Sequence, residues 1–353
     1  MKINNFEIKA KDALLKCFQD IPFLEIKNVD VEPHFGNIKP GMRIDLQLQE
    51  QVQYVIVELK NNGEPRYARQ AVNQILRQLQ ESRNDYGVFI APYISPRAAA
   101  ICQEADVGYI DLAGNCFISF ENIYIHKEGK SNPFTRKRYL RSLYSPKAER
   151  ILRVLLTSGL KEWKVEELAL EADVSLGQVS NVKKLLADEE WIDAKTVGFS
   201  LTDPYSLLEE WSKNYKYRRN KVLNFYTILG IAEFEYELGE ICQRENIRYG
   251  LTGFSGSSRY APAVRYQRVM AYVQDDFDEL IKYLEIKPVD SGANVMLLKP
   301  YDDGVFYGTQ ERDGSMVVSP VQIYLDLFSY RGRGQEAAEI LLDEVIQKNG
   351  KPT

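Results

Sequence analysis

The stretch Ser145–Pro204, SPKAERILRVLLTSGLKEWKVEELALEADVSLGQVSNVKKLLADEEWIDAKTVGFSLTDP, gives the clearest reading in the chain. Pro146 suits the first turn of a helix, where its missing N–H would be unpaired anyway. Ala148, Ile151, Leu152 and Leu155 then follow at helical spacing on one face. Val165, Leu168, Ala169 and Ala172 repeat that spacing in a second, shorter helix. Asp173-Val174 makes a tight turn. Ser175, with Gln178 three residues on, forms a capping box that opens a third helix, whose buried stripe is Val179, Val182 and Leu186. Its other side presents Gln178, Ser180, Asn181, Lys183 and Lys184, with Leu176 and Gly177 near the tip. Amides, small residues and cations of this kind read base edges and hold phosphates from a major groove. Two short strands around Val197-Gly198 look like a wing. The whole reads as helix, helix, recognition helix, wing, a variant of the helix-turn-helix. A three-helix packing module that touches no nucleic acid would show the same stripes; the cap and the wing favour the DNA reader.

Composition sets the frame around this stretch. The chain has 353 residues, enough for two or three domains. Its 44% hydrophobic and 27% charged residues are those of a globular protein. No apolar run nears the ~20 residues of a membrane span, and the N-terminus lacks a signal-peptide core, so a cytoplasmic location is expected. Net charge is −5, so DNA binding has to come from a local patch rather than from the whole molecule. Two histidines argue against His-based catalysis, and four scattered cysteines with no CxxC pair are expected to be reduced thiols. A metal site would have to be built from carboxylates.

Two basic runs border the central stretch. The first holds Arg136, Lys137, Arg138 and Arg141. The second runs from Lys213 to Lys221 and includes Lys216, Arg218 and Arg219. Charge runs are commonly solvated linkers, but next to a DNA reader these are candidate phosphate contacts.

Ahead of the first run the order is helix (8–21), three strands, helix (67–79), strand, helix (96–104), strand. Asp45 falls on one strand and Glu58-x-Lys60 at the end of the next. Residues two apart in a strand face the same way, so Glu58 and Lys60 point together. Asp45 and Glu58 would supply hard oxygens for Mg²⁺ or Mn²⁺, with Lys60 near the attacked phosphate and Gln74, one turn after Gln70, facing the same cleft. As a bare motif, Glu-x-Lys is also a common strand-end ion pair. The element order with Asp…Glu-x-Lys resembles the PD-(D/E)XK nuclease superfamily over roughly residues 7–112. The resemblance implies a restriction-endonuclease-like fold, with either residual metal-dependent cleavage or a retired core kept as sensor or dimerisation surface. Asp111-Leu112-Ala113-Gly114-Asn115 reads as a tight turn.

Residues 221–353 read as a further α/β domain. Gly253-Phe254-Ser255-Gly256-Ser257-Ser258 is either a structural loop or, with Asp275-Asp276, a phosphate cradle of the nucleotidyltransferase kind. Leu251-Thr252-Gly253, Ser257, Tyr260-Ala261, the run Val318 to Leu327, and Arg333-Gly334-x-Glu336-Ala337-Ala338 together with the winged helix resemble the AbiEi-like antitoxins of type IV toxin–antitoxin loci. That family pairs a winged helix with an α/β domain, represses its own promoter and counters a nucleotidyltransferase toxin. Here about 140 residues precede the winged helix, unlike the simplest members.

The expectation is therefore an α/β multidomain chain: a nuclease-like domain at 1–130, a winged helix-turn-helix with basic flanks at 131–220 and an antitoxin-like α/β domain at 221–353. It would act as a DNA-binding transcriptional regulator on its own promoter, needing no cofactor for that, as a homodimer in one arrangement. A Mg²⁺-dependent nuclease targeted by the winged helix is the alternative.

Overall fold

Along Gln51–Leu59 the side chains alternate between two apolar layers, and that alternation builds the first of two compact units, Met1–Arg138 with Ala187–Glu190. The computed structural model describes residues 5–19, 21–31, 41–80, 85–134, 143–194, 198–261, 265–274, 277–330 and 332–347. The first unit runs α1 (Asn5–Phe18), β1 (Leu24–Val31), β2 (Met42–Leu48), β3 (Gln51–Leu59), α2 (Pro65–Leu79), β4 (Asp85–Ala91), α3 (Pro96–Glu104), β5 (Gly108–Asp111), β6 (Cys116–Phe120) and β7 (Ile123–Lys127). The seven strands lie in sequence order; β3, β4 and β5 are parallel neighbours, and every other pair is antiparallel. Parallel neighbours need a crossover, and α2 and α3 supply the two. This is the element order expected of a restriction-endonuclease-like fold.

One face of the sheet carries Met42, Ile44, Val55, Val57, Val88 and Ile90, packed with Ala10, Leu14 and Phe18 of α1. The other buries Phe89, Ala91 and Tyr109 against Ala68, Ala71, Val72 and Ile75 of α2 and Ala98 and Cys102 of α3. Gly87 permits that second contact, since a Cβ there would lie 2.1 Å from Ile75 Cγ2. The Asp111 turn forms as expected: its buried carboxylate accepts from Gly114 N and Asn115 N, both at 2.8 Å, and from Asn115 Nδ2 at 2.7 Å. Cys17 and Cys116, distant in sequence, interact directly; their coupling draws the Cys116 thiol below the usual thiol range and pushes Cys17 above it. All four cysteines are free.

The second unit is Tyr139–Leu186 with Trp191–Thr353, so the boundary expected at 220/221 falls inside it. It holds α4 (Pro146–Thr157), α5 (Val165–Glu171), α6 (Leu176–Asp188) as far as Leu186, the antiparallel hairpin β8 (Ile192–Ala194) and β9 (Phe199–Leu201), and α7 (Pro204–Asn214). The sequence reading had no helix at α7. Asp203 caps it, accepting from Ser206 N at 3.0 Å, with Pro204 following. Then come β10 (Lys221–Tyr226), α8 (Ile231–Arg244), β11 (Tyr249–Leu251), α9 (Gly253–Ser257), β12 (Val269–Val273), α10 (Phe277–Tyr283), β13 (Lys287–Pro288), β14 (Val295–Lys299), β15 (Gln310–Arg312), β16 (Ser315–Val317), α11 (Pro320–Phe328) and α12 (Gly334–Leu341). The strand order is β13-β10-β14-β12-β11-β16-β15. Among the described residues no helix is long and apolar enough to cross a membrane.

Two buried polar clusters join the helices to this sheet. Asp326 of α11, fully buried, accepts from Tyr215 Oη at 2.8 Å, Tyr272 Oη at 2.9 Å, Thr252 Oγ1 at 2.6 Å and Gln322 Nε2 at 3.2 Å. In the neighbouring cluster Arg153 of α4, also fully buried, donates to Gln322 Oε1 at 2.9 Å and to Tyr301 Oη at 3.4 Å. Glu149, one turn earlier, accepts from Arg219 Nη1 at 2.6 Å and from the Tyr301 hydroxyl.

Burial raises the Asp326 carboxyl above the usual carboxylate range, and the hydrogen bonds oppose it only in part. Its unfolded value is about 3.9, so the native chain holds this proton more tightly than the unfolded one. The stability it contributes is fully present below about pH 4 and falls as pH rises through the raised value. We expect Asp326→Asn to lose that decline, so that the variant gains on the wild type between pH 4 and 7. Asp326→Ala, which strands four donors, should cost about 3 kcal/mol or more. Urea denaturation followed by tryptophan fluorescence tests both, because Trp163, Trp191 and Trp211 all lie in this unit. A pH-independent difference between wild type and Asp326→Asn would refute the assignment.

Candidate nucleic-acid interface

α6 is held by its buried side and leaves the other open. Val179, Val182 and Leu186 are fully buried, with Leu185 nearly so. Gln178 N donates to Ser175 Oγ at 3.2 Å, the N-cap half of the expected capping box. The turn before the helix uses Asp173 at φ +49°, and Arg150 of α4 pins that turn, bonding Asp173 and, at 2.7 Å, Asp302. Ser180, Asn181 and Lys184 are exposed together with Leu176 and Gly177, and Gln178 is half-buried. The structure thus brings the sequence-predicted reading residues onto one accessible face.

Lys183 is a partial exception. It is half-buried, with Nζ 5.0 Å from the centroid of the Phe199 ring of β9. Its charge lies against the hairpin, which leaves Lys184 the freer cation. β9 is fastened on its other edge by Trp163, whose N donates to Phe199 O at 2.8 Å while Phe199 N donates back at 3.0 Å. The hairpin tip, 195–197, lies outside the described residues.

The flanks divide. Arg136, Lys137, Arg138 and Arg141 lie outside the described residues. In the second run Lys213 is paired with Glu209 at 3.0 Å and Glu210 at 3.5 Å. Arg219 is not free for phosphate: Glu149 holds it, and its guanidinium lies 4.2 Å over the Tyr301 ring. Lys216, Arg218 and Lys221 remain exposed.

In the first unit the expected triad is only partly assembled. Lys60 Nζ lies 2.9 Å from Glu58 Oε1 and donates to Gln74 Oε1 at 2.5 Å, so these three meet as expected. Asp45 does not join them. The register pairs Asp45 with Tyr54, which puts Asp45 on the same sheet face as Glu58 but four residues away along the strand. Four residues span roughly 13 Å, whereas carboxylates sharing a divalent ion each reach it at about 2.0–2.6 Å. Asp45 instead pairs with Arg43 at 3.3 Å, and Arg43 lies 4.0 Å over the Tyr54 ring. Among the described residues no group of three or more His, Cys, Asp or Glu is placed to hold a metal. The residues present do not fit the Mg²⁺ or Mn²⁺ ion expected between Asp45 and Glu58.

The Gly-Ser stretch is no phosphate cradle. Residues 253–257 form the short helix α9, with Gly253, Ser255, Gly256 and Ser257 buried. Ser255 Oγ accepts from Met270 N at 3.1 Å, and a Cβ on Gly256 would sit 2.9 Å from Ile323 Cδ1. Its small residues serve close packing; Asp275 and Asp276 lie outside the described residues. The reading missed the roles of Thr252, Gln322 and Asp326, although a signal was present: two polar residues sit in an otherwise apolar helix, Pro320–Phe328.

Residues 200–347, less than half of the chain, match a family model described as a transcriptional regulator, the AbiEi antitoxin of a type IV toxin–antitoxin system. The matched segment begins within β9 and so takes in the α/β part and not α6. No curated protein matches the chain. One solved structure, titled "Structure of EndoMS-dsDNA2 complex", aligns at 14% identity with a TM-score of 0.22, over 29% of this chain; the chain spans 44% of the length of that one.

The register generates an expectation for metal binding. Any change that Mn²⁺ makes in melting temperature should be the same in the wild type and in Asp45→Ala. A metal-dependent stabilisation that disappears in Asp45→Ala would show that Asp45 reaches the ion after all.

Proposed function

We propose that this chain is a DNA-binding transcriptional regulator that acts as antitoxin and autorepressor of a type IV toxin–antitoxin or phage-defence locus. One observation carries the reading: α6 presents Gln178, Ser180, Asn181 and Lys184 on a single open face, in the same compact unit as a segment that matches an antitoxin regulator model. Asn and Gln side chains match the donor–acceptor edge of adenine, and Lys184 supplies a phosphate contact beside them. Exposed Lys216, Arg218 and Lys221 extend the cationic surface. The expected partners are double-stranded DNA at the protein's own promoter and a nucleotidyltransferase toxin encoded nearby. The protein works in the cytoplasm, and a homodimer would suit a palindromic operator.

The nuclease alternative finds support in Glu58, Lys60 and Gln74 but lacks the second carboxylate. The first unit is then read as a retained scaffold or sensing surface.

Fluorescence anisotropy with promoter DNA across a salt series tests the regulator reading. Lys184→Ala should weaken binding to all sequences and reduce the magnitude of the salt slope by about one. Asn181→Ala should leave the slope unchanged and cost about 1–3 kcal/mol of discrimination at one position. Arg219→Ala should lower the melting temperature and leave the slope alone, because its partner is Glu149. Absence of promoter binding by the wild type at low salt would remove the basis for the proposal.

A further inference from the structure

An open cavity of about 940 Å³ lies in the second unit, between the end of α7, the segment 215–220, the β10 and β14 strands and the C-terminal end of α11. Its size is in the range of small-molecule sites. Its charge is one-sided: Lys213, Lys216, Arg218 and Arg268 line it, and no carboxylate does. Glu209 and Glu210 neutralise Lys213. Among the described residues no carboxylate pairs with the other three cations. The C-terminal ends of two helices nearby offset part of this field but cannot replace an anion.

Arg268 is set in place before any ligand arrives. Its Nε donates to Ala293 O at 2.9 Å and its Nη1 to Tyr330 Oη at 3.3 Å, which leaves further N–H groups of a fixed guanidinium. Tyr330 and Tyr217 form an aromatic wall, ring centroids 5.9 Å apart at 33°. Asn224 lines the cavity too, and its side-chain amide has no protein partner among the described residues. A fixed guanidinium with exposed cations beside it, an aromatic face and a free donor–acceptor amide are three different functions, and one ligand class uses all of them. Phosphates meet Lys216, Arg218 and Arg268; a heterocyclic base stacks on a tyrosine; its edge meets the amide.

We propose that this cavity, whose Lys216 and Arg218 also border the candidate DNA surface, binds a nucleotide carrying two or more phosphates. The proposal stands apart from the regulator reading and survives if promoter binding fails. Isothermal titration of the full chain with a nucleoside triphosphate, with inorganic triphosphate and with a single-stranded oligonucleotide distinguishes the sources of that chemistry. The expected result is saturable binding of the nucleoside triphosphate, tighter than of inorganic triphosphate. Lys216→Glu and Arg268→Met should each weaken it roughly tenfold or more, the loss expected for a charge-assisted hydrogen bond. Lys216 is exposed and makes no ion pair among the described residues, so Lys216→Glu should fold with an unchanged melting temperature and keeps the test decisive if Arg268→Met is unstable. Equal binding of inorganic triphosphate would reveal a plain anion site and overturn the proposal. Binding of the oligonucleotide without the mononucleotide would overturn it in favour of a strand-binding groove, and so would mononucleotide binding indifferent to Lys216→Glu.

Discussion

Two ionisable side chains one helical turn apart, Glu149 and Arg153, are completely removed from water on the inward face of α4. Burying such groups is costly unless every lone pair and N–H finds a partner. Here Arg219, Tyr301, Gln322 and Trp211 provide most of them, each from a different part of the second unit. The adjoining Asp326 cluster extends the same network to Tyr215, Tyr272 and Thr252. These groups fix one docking of the helices on the sheet, because any other would leave charges unpaired at low dielectric. α6 inherits its position from that docking: α4 carries Arg150, and Arg150 holds the turn that launches α6.

The family-like motifs of the C-terminal half take on a physical meaning in this light. Thr252, Gln322 and Asp326 all belong to stretches that carry the antitoxin resemblance, and all three end in one hydrogen-bonded cluster rather than in a cleft. Their chemistry is that of a buried joint. Gly253 and Gly256 fit the same account, since the helix they start lies too close to Met270 and Ile323 to admit side chains.

Most elements were legible because their signals are local. Stripes at helical spacing placed α4, α5 and α6, and the strand–helix alternation placed β3 to β5 with their crossovers. Ser175 and Gln178 announced the start of α6. What failed was long-range. The hairpin between β2 and β3 closes on Gln49 and Glu50, with Gln49 at φ +52° and no glycine to announce it. The turn position sets the register, and the register moved Asp45 away from Glu58 although both strands and both faces were read correctly. Arg219 failed for a related reason: a cation in a basic run looks solvated until its partner, seventy residues away, is known. Cys17 and Cys116 likewise met only through the tertiary fold.

The buried charges on α4 also bear on portability. Winged helices are often treated as cassettes that can be cut from one protein and grafted onto another. The segment α4–β9 could not travel alone. A graft ending at Thr202 would carry Glu149 and Arg153 without Arg219, Tyr301 or Gln322, turning a largely satisfied interior into a hydrated, charged patch beside exposed apolar surface. The smallest transferable piece is α4–β9 together with its sheet, so in a lineage that shuffles domains the two would be inherited as one cargo.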